Sequence, residues 1–136
     1  MSLAIVYTRA ALGIEAPLIT VEVHLSNGLP GLTMVGLPET TVKEARDRVR
    51  SALINSGYAF PAKKITINLA PADLPKEGGR YDLPIALALL VASEQLNTTR
   101  LNQYEFVGEL ALTGGLRGVP GAIPSAMEAI KAGRRI

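Results

Sequence analysis

The sequence predicts an α+β domain, and three observations carry that reading. Ile19, Val21, Val23 and Leu25 alternate with Thr20, Glu22 and His24, the period of a strand with one buried face. Val42, Ala45, Val49, Ala52 and Leu53 recur instead at helical spacing. Strands and helices then follow one another without strict alternation, which argues against a doubly wound sheet. A length of 136 residues fits one domain, since ~100–200 residues is the usual range.

The elements follow in order. Ser2 to Thr8 is β-prone and opens the sheet, and Leu18 to Leu25 is the half-exposed second strand. Asn27-Gly28 is a turn pair before Leu32 to Val35, so strands two and three are expected to pair as a hairpin or meander. Gly36-Leu37-Pro38 stops the sheet. A helix is expected over Thr41 to Ser56, with Thr41 and Glu44 at capping-box spacing and Gly57 as the left-handed terminator. Lys64 to Leu69 is the next strand, with Ile65, Ile67 and Leu69 on one face. After a polar loop from Ala70 to Tyr81, Asp82 is placed to N-cap a second helix, with Pro84 in its first turn. That helix, through about Leu96, is apolar nearly all round and is expected to be central and buried. Phe106 to Leu112 and Leu116 to Val119 read as a hairpin about Thr113-Gly114-Gly115, and a last helix begins near Pro124.

Composition removes several classes of function. Hydrophobic residues make up 48% and the formal net charge is +2, which argues against intrinsic disorder. The absence of cysteine excludes disulfide scaffolds, thiolate zinc sites and cysteine nucleophiles. The basic isoelectric point is a tail effect. Residues 1–116 carry 10 basic and 11 acidic side chains, whereas Arg117, Lys131, Arg134 and Arg135 face Glu128 alone in the last stretch. No early segment has the organisation of a secretion signal, and the apolar run Leu83 to Ser93 is too short to span a bilayer. The expectation is a cytoplasmic protein with no membrane partner. Gly133-Arg134-Arg135-Ile136 reads as a helix end feeding another strand, so a fragment cut near a domain boundary is expected.

Residues with chemical potential are few. No G-x-x-x-x-G-K-[ST] string is present, so no P-loop holds nucleotide phosphates. Gly78-Gly79 precedes a helix, where backbone N–H groups can hold an anion, but Glu77 and Asp82 flank it and oppose phosphate. His24 is the only histidine and lies on the polar face of a predicted strand, so a surface role is expected. Glu105 and Glu109 share one face of a strand and read more simply as solvated charges than as an acid–base pair. Lys43, Arg46 and Arg50 form a basic stripe on the first helix, suited to a phosphate backbone. Glu44 four residues before Arg48, and Lys43 four before Asp47, favour instead the plainer reading of a salt-bridged exposed helix. No aromatic interleaving suggests a single-strand stacking surface. The GLPG and GVPG strings flank strands, unlike an RNA-binding KH loop.

Three strings are more specific: GLPETTVKEARDRVRSA, INLAPADLPKEGGRYDLPIA and GELALTGGLRGVPGA. Together with the surrounding sequence from residue 2 to the end, they resemble the N-terminal domain of the ComM/YifB family of magnesium-chelatase-like AAA+ ATPases. The resemblance implies a Lon-protease-like domain, a mixed β-sheet with helices packed on it, spanning residues 1–136. It further implies a hexameric, ATP-driven branch-migration helicase that acts in natural transformation and recombination. The AAA+ motor, with ATP and Mg²⁺, would follow this domain and lies outside these residues.

Lon-type proteases use a Ser–Lys dyad, the serine at the start of a buried helix and the lysine in a later helix after a hairpin. On that pattern Asp82 falls near the nucleophile position and Ile123 near the lysine position. The carboxylate is expected to lack an activating partner and Ile123 cannot take a proton, so no catalytic residue and no enzyme activity are expected here. Ser125 and Lys131 lie outside the matched positions. The implied role is a non-catalytic domain supporting ring assembly, with single-stranded or branched DNA as a partner through Lys43, Arg46, Arg50, Lys63, Lys64, Lys76 and Arg80. The alternatives are a subunit-contact platform that touches no DNA, and a residual hydrolase.

Overall fold

The computed structural model describes residues 2–136. Strand β1 spans Leu3–Arg9, β2 Leu18–Ser26, β3 Gly31–Val35 and β4 Lys64–Ala70, and they form one sheet in the order β1-β2-β4-β3. β1 and β4 flank β2 antiparallel, while β3 runs parallel to β4, so the sheet is mixed and the domain is α+β. The expected pairing of β2 with β3 does not occur. Ser26 and Gly31 both register with Lys64, from opposite sides of β4. β4 takes the place between them because its face residues Ile65, Ile67 and Leu69 are almost entirely buried, and an interior strand hides its apolar face and both ladders from water. Gly36 then turns the chain with a φ of +96°, passing so close to the Leu69 carbonyl that a Cβ would collide with it.

Helix α1 spans Glu39–Asn55 and buries Ala45, Val49, Ala52 and Leu53, the stripe read from the sequence. It begins earlier than expected. Pro38, not Thr41, is the N-cap residue, with no side-chain cap, and its carbonyl accepts the Val42 N–H. A fixed φ suits proline at a helix entry, so no capping box is required. Gly57 ends the helix at φ +88°, as expected.

Helix α2, Asp82–Ala92, lies across the sheet face formed by Ala4, Val6, Val21 and Val23, with Ile85, Ala88 and Leu89 buried. It stops short of Leu96. The Ser93 hydroxyl donates to the Leu89 carbonyl, Glu94 takes a left-handed φ of 62°, and the Gln95 and Leu96 N–H groups return to Leu90. These bonds satisfy the terminal carbonyls locally and end the helix. Asp82 is its first helical residue, not its cap. Beyond a 3₁₀ turn at Leu101–Gln103, β5 (Glu109–Leu110) and β6 (Leu116–Arg117) form a hairpin shorter than expected. Helix α3 covers Ala122–Lys131, entered through Gly121 at φ +87°. Arg135 then forms a parallel bridge to Tyr104, so the chain after α3 does return to an extended course.

Among the described residues no helix is long and apolar enough to cross a membrane. The core also holds a polar anomaly. Tyr81 is 1% exposed and its hydroxyl has no hydrogen-bond partner among the described residues. Burial pushes its phenol up to about 12. Tyr81→Phe removes an unsatisfied hydroxyl, so it is expected to leave stability unchanged or raise it by about 1 kcal/mol. A urea midpoint well below that of the parent would show that the hydroxyl is bonded.

Candidate functional site

The start of α2, the β5–β6 hairpin, the entry to α3 and the β1–β2 loop converge on one cleft. It encloses about 420 Å³ and is lined by Leu12, Glu77, Gly79, Arg80, Glu109 and Pro120 among others. Neither of the two positions matched to a Ser–Lys dyad, Asp82 and Ile123, is among the residues that line it.

Asp82 is fully buried, and its carboxylate is held by hydrogen-bond donors. Arg48 of α1 donates from Nε to Oδ2 at 2.7 Å and from Nη2 to Oδ1 at 3.3 Å, while the Leu110 N–H donates to Oδ2 at 3.1 Å. Asp82 therefore joins α1, α2 and β5 in one bonded group. The hydrogen bond from Arg48 is a donor's, not a base's, so it holds the carboxylate without activating it as a nucleophile. The two partners titrate differently. The bond to Asp82 raises Arg48, whose side chain is 24% exposed, but at Asp82 desolvation outweighs the same bond and lifts the carboxyl above its ordinary range. The Glu44–Arg48 pairing expected on the helix surface yields to this buried bond, and Asp47 meets Arg46 at 3.8 Å in place of Lys43.

Ile123 is 74% exposed and its side chain carries no polar atom. Ser125 is buried, with its hydroxyl 3.5 Å from Arg80 Nη2. Lys131 is an exposed side chain paired with Glu128 at 2.9 Å, so Ser125 and Lys131 are not brought together.

Two residues expected on the basic surface belong to the interior. Arg80 is 5% exposed, donating from Nε to the Arg9 carbonyl at 3.0 Å and from Nη1 to the Pro120 carbonyl at 2.7 Å. Lys76 is 3% exposed and its ammonium donates to the Pro71 and Leu74 carbonyls. Burial lowers both from their ordinary values. Their charges staple loops, so neither faces solvent as a phosphate contact. Lys43, Arg50, Lys63 and Lys64 are exposed and Arg46 is partly so. Arg50 also lies 5.8 Å from the Phe60 ring centre, a cation–π contact at the foot of the stripe.

Gly78-Gly79 is a poor anion site for a further reason. The Glu109 carboxylate lies against Gly79, so close that a Cβ there would overlap it. Glu109 is half-buried, whereas Glu105 corrects the expectation of a solvated pair. Glu105 is 1% exposed and takes Arg9 Nε at 2.7 Å, Arg9 Nη2 at 2.9 Å and Arg134 Nε at 2.9 Å. Arg134 also stacks 4.3 Å from the Tyr7 ring centre. His24 is exposed on the polar face of β2, as expected.

Arg9, Arg48 and Arg134 were not legible as site residues. A charge set directly against an apolar run was the available signal for Arg9, after the β-prone LAIVYT, and for Asp82, before the apolar helix.

The family model described as subunit ChlI of Mg-chelatase matches residues 21–136. An uncharacterized protein YifB of Salmonella typhimurium is 84% identical over the whole chain, and the competence protein ComM of Haemophilus influenzae 67% identical. An uncharacterized Mycobacterium tuberculosis protein is 38% identical over 133 residues, 98% of the chain. The chain spans about a quarter of the length of these relatives, 27% of the first two and 26% of the third.

Proposed function

The chain belongs to the ComM/YifB, Mg-chelatase-like family, and from that premise we propose a non-catalytic supporting domain of an ATP-driven DNA motor. On this reading it keeps a Lon-like fold, supports assembly of a hexameric ring and touches DNA through the basic stripe of α1 during branch migration. The observation that carries it is the state of Asp82. Arg48 and the Leu110 N–H engage both carboxylate oxygens, and the matched lysine position is Ile123. A buried carboxylate fastened this way serves architecture better than covalent chemistry.

The residues of this chain do not fit ATP with Mg²⁺. They contain no P-loop string, and the glycine pair before α2 faces the Glu109 carboxylate. Nucleotide chemistry therefore belongs, on this reading, to the part of the longer relatives that the chain does not span.

The DNA contact rests on Lys43, Arg46 and Arg50, with Lys63 and Lys64 as further exposed cations. Reversing the three stripe charges to glutamate in a full-length family protein is expected to flatten the salt dependence of single-strand retention. The slope should fall by about 0.7 for each phosphate that is no longer neutralised. An unchanged slope would leave the second reading, a subunit-contact platform without DNA. That reading is favoured by the burial of Lys76 and Arg80, which shrinks the basic surface.

A further inference from the structure

Helix α3 carries an apolar stripe on its outer side. Ile123 is 74% exposed, Met127 56% and Ile130 73%, at the i, i+4, i+7 spacing of a docking helix. The opposite side of the helix is the part that packs, with Ser125 and Ala129 fully buried. Ile14 of the β1–β2 loop, 91% exposed, extends the patch across a shallow groove that it shares with Pro17, Pro124 and Met127. Glu15, Glu128 and Lys131 form a polar rim around it. Large apolar side chains grouped inside a charged rim mark a surface that another element covers.

We infer that this stripe is the seat of polypeptide from the same protein lying outside the matched stretch, an amphipathic segment that lays its apolar side along α3. One observation selects that occupant: about three-quarters of the length of the relatives lies outside the matched stretch.

Magnitudes disfavour a second copy as occupant. The stripe runs about 10 Å along the helix at 1.5 Å per residue. So short a contact falls well below the ~1,200 Å² that stable association between separate molecules buries. A tethered segment works at an effective concentration of about millimolar, where a small patch suffices. The nearby charges offer a second copy little, because Lys131 and Glu128 already pair with each other at 2.9 Å. The inference is independent of the DNA reading, since it uses neither the basic stripe nor Asp82.

The cysteine-free sequence gives a clean test. Ile130→Cys and, separately, Ile123→Cys are introduced into the 136-residue chain. The same variants are made with this sequence grafted in place of the matching stretch of a full-length relative whose other cysteines are replaced. Reaction with a maleimide is timed at several protein concentrations. Asn102→Cys, at an exposed site, sets the fast limit, and Ala129→Cys, at a buried one, sets the slow limit. The expected result is rapid labelling of both stripe thiols in the short chain and at least tenfold slower labelling in the long protein, independent of concentration. Equal rates in the two proteins would overturn the inference. Protection that is already present in the short chain and grows with its concentration would also overturn it, in favour of a second copy.

Discussion

Arg48→Gln is expected to destabilise the fold by about 3 kcal/mol, the low end of the 3–5 kcal/mol seen when one partner of a buried pair is removed. The low end applies because Arg48 is 24% exposed while Asp82 is 1% exposed. The variant keeps a polar side chain on α1 but leaves the carboxylate with the Leu110 N–H alone. The loss should depend on pH with a defined sign. Burial already holds Asp82 above its ordinary value of 3.8, so in the native state the proton is favoured and ionisation is a cost to folding. That cost is absent below 3.8, grows as pH rises from there through the raised native value, and is complete above it. Without Arg48 the native value moves higher still. The difference between parent and variant is therefore largest at neutral pH and shrinks as the solution is acidified towards 4. Urea unfolding of both proteins at several pH values measures this. A difference that stays constant between pH 7 and 4 would mean that Asp82 is not the group left stranded.

Glu105→Ala should cost at least as much, about 3–5 kcal/mol. Glu105 is the hub of the second buried cluster, and the substitution strands Arg9, whose side chain is 8% exposed, inside the fold. Arg134→Ala should cost less, because Arg134 is 17% exposed and Arg9 still neutralises the carboxylate when it is gone. The order of the two variants in thermal unfolding is the decisive readout. An Arg134 variant as damaged as the Glu105 variant would show that the tie between the chain after α3 and the sheet outweighs the buried charge. The cluster fixes where that chain leaves the sheet, since Arg134, Glu105 and Arg9 bring together the ends of three distant segments.

Both predictions concern pairs that no local pattern announces. Arg48 and Asp82 are 34 residues apart, and Arg9 and Glu105 are 96 apart. Period-based reading reports which way a side chain points relative to its own element. It does not report which distant element lies in that direction. Arg48 looked like a surface partner of Glu44 because helical spacing allows it, and the burial of Asp82 beneath α1 claimed it instead. Lys76 and Arg80 looked like surface cations because charged loops usually are. Their ammonium and guanidinium groups turned inward because loop carbonyls at Pro71, Leu74, Arg9 and Pro120 needed donors.

The sequence by itself determined the fold class, the four strands of the sheet, the apolar stripe of α1 and the buried character of α2. It also excluded cysteine chemistry and a P-loop, and its three specific strings pointed to the family. These are properties of short windows, where alternation, helical period and residue chemistry leave little choice. Only the tertiary structure decided the strand order, the placing of β4 between β2 and β3, and the partners of Asp82 and Glu105. It also separated exposed cations from buried ones and left the outer side of α3 open. Each of those outcomes is a competition among segments distant in sequence for the same buried space, and burial settles it: a charge removed from water takes whichever partner the packing brings within reach.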